Sequence, residues 1–221
     1  SHIINYAGNG GMVCFNDKKK YIEAKLLRSW GRSSSLFDEK SEKIENRFNV
    51  KLDGIEYDKK FVFETIGHNL EPSELGAAFG LEQLKKLQKN LKKRKLIFQK
   101  HISFLKEYPD FFILPSQHRL SDTAWLAFPI LINEKSGISR KKLQIYLEKK
   151  NIQTRVIFTG NILRQPGFKS IKKRVLKKNH YNADYIMSNG LLIGCHQGMN
   201  DKMIRYVHSH IKLFLKLNTN L

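Results

Sequence analysis

At 221 residues and 41% hydrophobic content the chain can bury the core of one domain or two small ones, which excludes a disordered polymer. No apolar run reaches the ~18 residues of a membrane helix, and the opening residues lack the basic-then-apolar order of a signal peptide. The net charge of +20 raises a polyanion partner, while two cysteines, Cys14 and Cys195, are too few for a disulfide framework, make no CxxC pair and favour a reducing compartment, the cytoplasm by default.

In chain order, a Gly-rich turn runs from Ser1-His2 through Gly8, Gly10 and Gly11, and Met12–Phe15 reads as a buried strand. Asp17 caps a helix that continues to about Trp30 and ends at Gly31. Residues 31–60 form a long polar stretch with charges of both signs and little periodicity. A helix starts at Ser73, with Leu84, Leu87 and Leu91 at helical spacing, and continues or bends into Ile97–Leu105. Beyond Pro109 strands and helices alternate. Strands are expected at Phe112–Leu114, Trp125–Ile132, Thr154–Ile157 and Leu191–Gly194. Helices are expected from Ser139 to about Lys150, near Ala183–Ser188, and from Asn200. The order predicts an α/β architecture.

The lysines cluster at 85–95, 140–142 and 169–178. Either these runs form a nucleic-acid face or they are solvated helix surface; the absence of interleaved aromatics for base stacking favours the second. Steering of an anionic substrate is compatible with both. Other constellations fail. His208-x-His210 places its rings about 200° apart on a helix, so it cannot form the i, i+4 pair of a zinc helix. Neither GxxxxGK[ST] nor GxSxG occurs, and no metal site is expected.

Two segments depart from plain core periodicity: IGHNLEPSELGAAFGLEQLKKL at 66–87 and NIQTRVIFTGNILRQPGF at 151–168. On residue chemistry alone, Asn69 is a turn residue or a phosphate ligand beside a helix start. Arg155 is a salt-bridged strand residue or an anion ligand, and Asn161 is a turn residue or a polar contact. His2 is a terminal surface histidine or an acid–base group suited to neutral pH.

Together the segments resemble the DegT/DnrJ/StrS family of vitamin B6 enzymes that rework nucleotide-linked deoxysugars. The resemblance runs from Ser1 to about His210, nearest to the 3-dehydratase branch, and implies the C-terminal part of a fold-type-I enzyme. On that basis 1–95 are expected to be the remainder of the large cofactor-binding domain, its N-terminal half missing, and 96–221 the small domain. The implied cofactor is pyridoxal or pyridoxamine 5′-phosphate. His2 then stands at the turn where relatives carry a lysine or histidine over the cofactor; a histidine cannot form the Schiff base and acts only as acid or base. Asn69 is expected to reach the cofactor phosphate of the other subunit, implying a homodimer with shared sites. Arg155, Asn161 and Gln165 are expected at the sugar site, and Arg32, in RSWGR, near the diphosphate. The implied reaction is 3-dehydration of a 4-keto-6-deoxyhexose for surface polysaccharide, with sugar aminotransfer as the alternative. One departure stands out. Dehydratase relatives place an iron–sulfur cysteine cluster after WGR, where this chain reads SSSLFDEKSEKIENRF, without a thiol.

Overall fold

The computed structural model of the chain describes residues 6–8, 10–36, 44–175 and 179–219, so His2 lies outside the described residues. The chain divides into two compact units, with the boundary between Leu84 and Lys85.

In the first unit, helix α1 spans Lys18–Arg28, and Asp17 caps it by accepting from the Lys19 and Lys20 N–H groups. The helix stops where Trp30 and then Gly31 turn left-handed, at φ 56° and 81°. The Gly31 N–H returns to the Leu26 carbonyl at 2.7 Å, satisfying an orphan group of the last turn. Residues 12–15, expected as a strand, pair with no strand among the described residues. Met12 is 89% exposed, so the apolar run there buries nothing within this unit.

The polar stretch after Gly31 has more structure than its weak periodicity suggests. It holds a 3₁₀ turn at Ser33–Leu36, the short helix α2 at Ile44–Arg47, and an antiparallel hairpin of β1, Val50–Leu52, and β2, Ile55–Tyr57. Asp53 and Gly54 make its turn with φ 47° and 86°, both positive as a type I′ turn needs. Arg47 forks onto the Asp58 carboxylate, closing the hairpin back onto α2 and holding that carboxyl well below its ordinary range, at about 2. The first unit buries no large apolar side chain among the described residues; its buried polar side chains are Ser29 and Ser33.

Helix α3 runs unbroken over Glu74–Leu105, so no bend separates the two stretches expected from sequence. From Arg94 onward its inward face carries Ile97, Phe98, His101 and Leu105, at helical spacing. The second unit adds an antiparallel sheet in the order β3-β4-β5, where β3 is Phe112–Ile113, β4 Phe128–Ile132 and β5 Gly190–Ile193. Three further helices complete it: α4 at Arg140–Lys149, α5 at Tyr181–Asn189 and α6 at Asp201–Asn218. Ser139 and Asn200 cap α4 and α6 through their side-chain oxygens.

Strand β4 alternates strictly, with Phe128, Ile130 and Ile132 buried against Leu143 and Leu147 of α4 and Ile204, Val207, Ile211, Phe214 and Leu215 of α6. Among the described residues, all of the large buried apolar side chains belong to this unit. The strand expected at Thr154–Ile157 is a single bridge, Arg155 to Leu192, because the chain leaves the edge of β5 after one exchange of hydrogen bonds.

Candidate functional site

The expected site residues that lie among the described residues fall into two clusters, one in each unit. In the first, the extended segment leading to α3 runs antiparallel to the end of α1. The His68 and Leu70 N–H groups donate to the Leu27 and Arg28 carbonyls, and the Trp30 N–H donates to the His68 carbonyl. This pairing bridges Asn69 to Ser29, and a second bridge joins Arg32 to Phe63, so Asn69 and Arg32 flank one backbone crossing. Gly31 makes the crossing possible: a Cβ there would sit 1.8 Å from the Thr65 carbonyl oxygen. The crossing leaves the Asn69 carboxamide exposed, with no partner among the described residues, just upstream of α3. The Arg32 guanidinium lies over the Trp30 ring at 4.2 Å, and its buried Nε has no partner among the described residues. Both groups are oriented by backbone and ring contacts while their donors are uncommitted, which suits anion binding.

The second cluster is the loop from Thr154 to Phe168. Arg155 is exposed and lines a shallow groove of about 500 Å³ with Lys141, Gln144, Glu148 and Thr154. Glu148 is already committed there, accepting from both the Thr154 N–H and hydroxyl, so the guanidinium faces the groove without a carboxylate partner among the described residues. Asn161, only 6% exposed, is spent internally: its Oδ1 accepts from the Leu163 N–H at 3.1 Å and its Nδ2 donates to Asp184 at 2.7 Å. Arg164 also grips Asp184, and these two donors hold the Asp184 carboxyl far below the usual carboxylate range. Gln165 donates its amide to the Thr159 carbonyl at 3.0 Å, leaving its own side-chain oxygen available. Gly160, at φ 59°, passes so close to α5 that a Cβ would meet Met187 side-chain atoms at 2.5 Å.

Sequence reasoning gave no role to the polar core of this unit. Arg94, 1% exposed, donates through Nε to the Gln197 side-chain oxygen and through Nη1 to the Trp125, Leu126 and Cys195 carbonyls. It thereby fixes the Cys195–Gly198 turn. Its place inside the KKRK run disguised it, although its spacing to Ile97 and Phe98 marks the inward face. Burial pushes the Cys195 thiol up to about 11, which keeps it inert. His208 and His210 diverge as expected: His208 meets His101 at 2.9 Å, and His210 meets the Tyr146 hydroxyl at 3.2 Å. No group of three or more potential metal ligands occurs among the described residues, and none of their helices is long and apolar enough to cross a membrane.

Comparison with known proteins agrees with this architecture. The model of the DegT/DnrJ/EryC1/StrS aminotransferase family matches residues 1–212. The lipopolysaccharide biosynthesis protein RfbH of Salmonella typhimurium is 34% identical over 215 residues, covering 96% of this chain and 48% of that protein. A GDP-4-keto-6-deoxy-D-mannose 3-dehydratase of Escherichia coli O55:H7 is 30% identical, covering 85% of this chain and 46% of that protein. Among solved structures, the E. coli GDP-4-keto-6-deoxy-D-mannose-3-dehydratase with bound hydrated PLP superposes with a TM-score of 0.72 at 27% identity, over 88% of this chain and 48% of that one. An aminotransferase from Psychrobacter cryohalolentis, 15% identical, shares the fold over 98% of this chain with a TM-score of 0.78. The chain therefore has the α/β fold of the pyridoxal-phosphate-dependent sugar aminotransferases and dehydratases, and it spans about half the length of the curated relatives it matches. By the span of that match and the fold shared with these enzymes, the chain belongs to the DegT/DnrJ/EryC1/StrS aminotransferase family.

Proposed function

We propose that the whole protein to which these residues belong is a pyridoxal- or pyridoxamine-phosphate-dependent enzyme that removes the 3-hydroxyl of a nucleotide-linked 4-keto-6-deoxyhexose, in the cytoplasm, on the way to a surface polysaccharide. The observation that carries this reading is the run of RfbH and 3-dehydratase relatives matching 85–96% of the chain. A variant of the 3-dehydratase ColD, solved with a serine–histidine pair changed to asparagine–lysine, adds support, because this chain carries Ser1-His2 ahead of its glycine turn.

The exposed Asn69 carboxamide, five residues ahead of α3, suits a phosphate, which the positive end of a helix also favours. When bound, the cofactor supplies the electron sink that lets a proton and then the hydroxyl depart. His2 moves that proton as acid and base. Asn69 holds the phosphate of the cofactor belonging to the other subunit of a homodimer. Arg155 and Arg32 bind the anionic part of the nucleotide sugar. Gln165 offers its oxygen to the sugar, and Asn161 shapes the loop around it. Residues up to Leu84 form the end of the cofactor-binding domain in this reading, and their exposed apolar side chains are covered by the rest of that domain.

A transaminase function is the second reading, favoured by the E. coli dTDP-4-amino-4,6-dideoxy-D-glucose transaminase, 34% identical over 105 residues. Borohydride separates the two. In the whole protein, a histidine over the cofactor leaves nothing for borohydride to fix, so the cofactor stays removable by gel filtration, and His2→Lys makes it fixable. Covalent labelling of the unmodified protein overturns the dehydratase reading in favour of the transaminase.

A further inference from the structure

The chain's net positive charge comes from one side of the unit boundary. Residues 85–221 hold 28 Lys and Arg against 7 Asp and Glu, whereas residues 1–84 hold 12 against 13. The asymmetry is steepest between Glu148 and Asp184, where ten basic residues occur without one acidic residue. A single diphosphate ligand engages a few cations, so a stretch this rich in them exceeds what a nucleotide sugar needs.

Large apolar side chains share the stretch and point outward. Phe158 is 75% exposed, on a left-handed backbone at φ 44°, and Ile171 is 51% exposed. Every residue from 166 to 175 is exposed, and Phe168, Ile171 and Val175 alternate there with Lys169, Lys172, Lys173 and Arg174. Lys173 turns back to donate to the Phe168 and Lys169 carbonyls at 2.6 and 2.8 Å, which closes the segment into a tight turn and leaves Lys169, Lys172 and Arg174 at its rim. Basic side chains around an apolar tip are the composition that seats a protein at the headgroup level of an anionic bilayer. A nucleic-acid face would instead need several rings spaced for stacking successive bases, and residues 168–175 contain one, Phe168.

We propose that the turn at 168–175 docks this protein reversibly on a membrane surface rich in anionic lipid headgroups, with Phe168 and Ile171 entering the interface and Lys169, Lys172 and Arg174 meeting phosphates. The proposal is independent of the catalytic reading, since it uses no cofactor or substrate.

The test is co-sedimentation of the whole protein with vesicles of phosphatidylcholine alone or containing phosphatidylglycerol. Binding is expected to the anionic vesicles only, weakening as salt rises. K169E/K172E/R174E lowers partitioning by about a hundredfold, at about fivefold for each cation. F168S/I171S weakens it and makes the remainder more salt-sensitive, and unchanged circular dichroism confirms that both variants fold. Equal sedimentation with both vesicle types, sedimentation with neither, or an unaffected triple variant overturns the proposal. So does displacement by poly(U) RNA combined with an unaffected F168S/I171S variant, which assigns the turn to nucleic acid instead.

Discussion

Acidification probes the polar core of the second unit. His101, fully buried on α3, offers Nε2 to the Gly194 carbonyl at 3.0 Å, so that nitrogen carries the proton and Nδ1 must accept from His208 Nε2 at 2.9 Å. Phe104 stacks on His208 and Phe128 tilts against His101, leaving little room for water around a charge. Burial accordingly lowers both histidines to about 4 from 6.5. Between those values the unfolded chain holds protons that the native state does not, so stability is fully present above pH 6.5 and is lost as pH falls toward 4. Together the coupled pair contributes stability on the order of a few kcal/mol across that window, with the more exposed His208 giving the smaller share because solvent screens its charge. That is a large part of the roughly 5–15 kcal/mol expected of a domain. Urea unfolding followed by circular dichroism at pH 7, 6 and 5 measures the slope. H208Q keeps a donor for His101 but does not titrate, and is expected to remove nearly half of the slope while costing little at pH 7. A slope unchanged by H208Q, or a midpoint flat from pH 7 to 5, refutes the reasoning.

Asn161→Ala is expected to cost about 1–2 kcal/mol, because it removes a 3₁₀ cap and a bond to Asp184, and thermal unfolding will show it without any ligand. Gly160→Ala is expected to lower the Tm by several degrees, since the new methyl adds to a left-handed backbone a clash with Met187 of α5. Asn69→Ala in the whole protein is expected to weaken cofactor retention at least tenfold with an unchanged unfolding midpoint, as one charged hydrogen bond is worth about 1.5–3 kcal/mol. Mixed dimers of that variant with a His2 variant are expected to recover activity; confirmed heterodimers without recovery place Asn69 outside the partner's site.

Capping and periodicity made the helices legible. Asp17, Ser139 and Asn200 each precede a helix at the expected place, β4 lies within the apolar run assigned to it, and β5 overlaps its expected run but starts one residue earlier, at Gly190. The misreadings share one physical cause, that a strand is made by its partner. Met12–Phe15 and Thr154–Ile157 have strand composition, yet the first finds no partner among the described residues and the second exchanges a single pair of hydrogen bonds. The β1–β2 hairpin was legible in principle, since Asp53-Gly54 is its turn signal, but the surrounding charges masked the short flanking strands. At the candidate site, residue types did not separate exposed donors from committed ones. Asn69 and Arg155 keep their side chains available, whereas the equally polar Asn161 is consumed by Asp184, a partner 23 residues away in sequence that no local pattern reveals.

The product formed by the whole protein tests the proposed function most directly. Incubated with pyridoxamine phosphate, a reducing co-substrate and a nucleotide-linked 4-keto-6-deoxyhexose, it is expected to yield a sugar lacking the 3-hydroxyl, seen by mass spectrometry and by a methylene signal at C3 in the NMR spectrum. A product that carries nitrogen at C4 with the 3-hydroxyl intact contradicts the account.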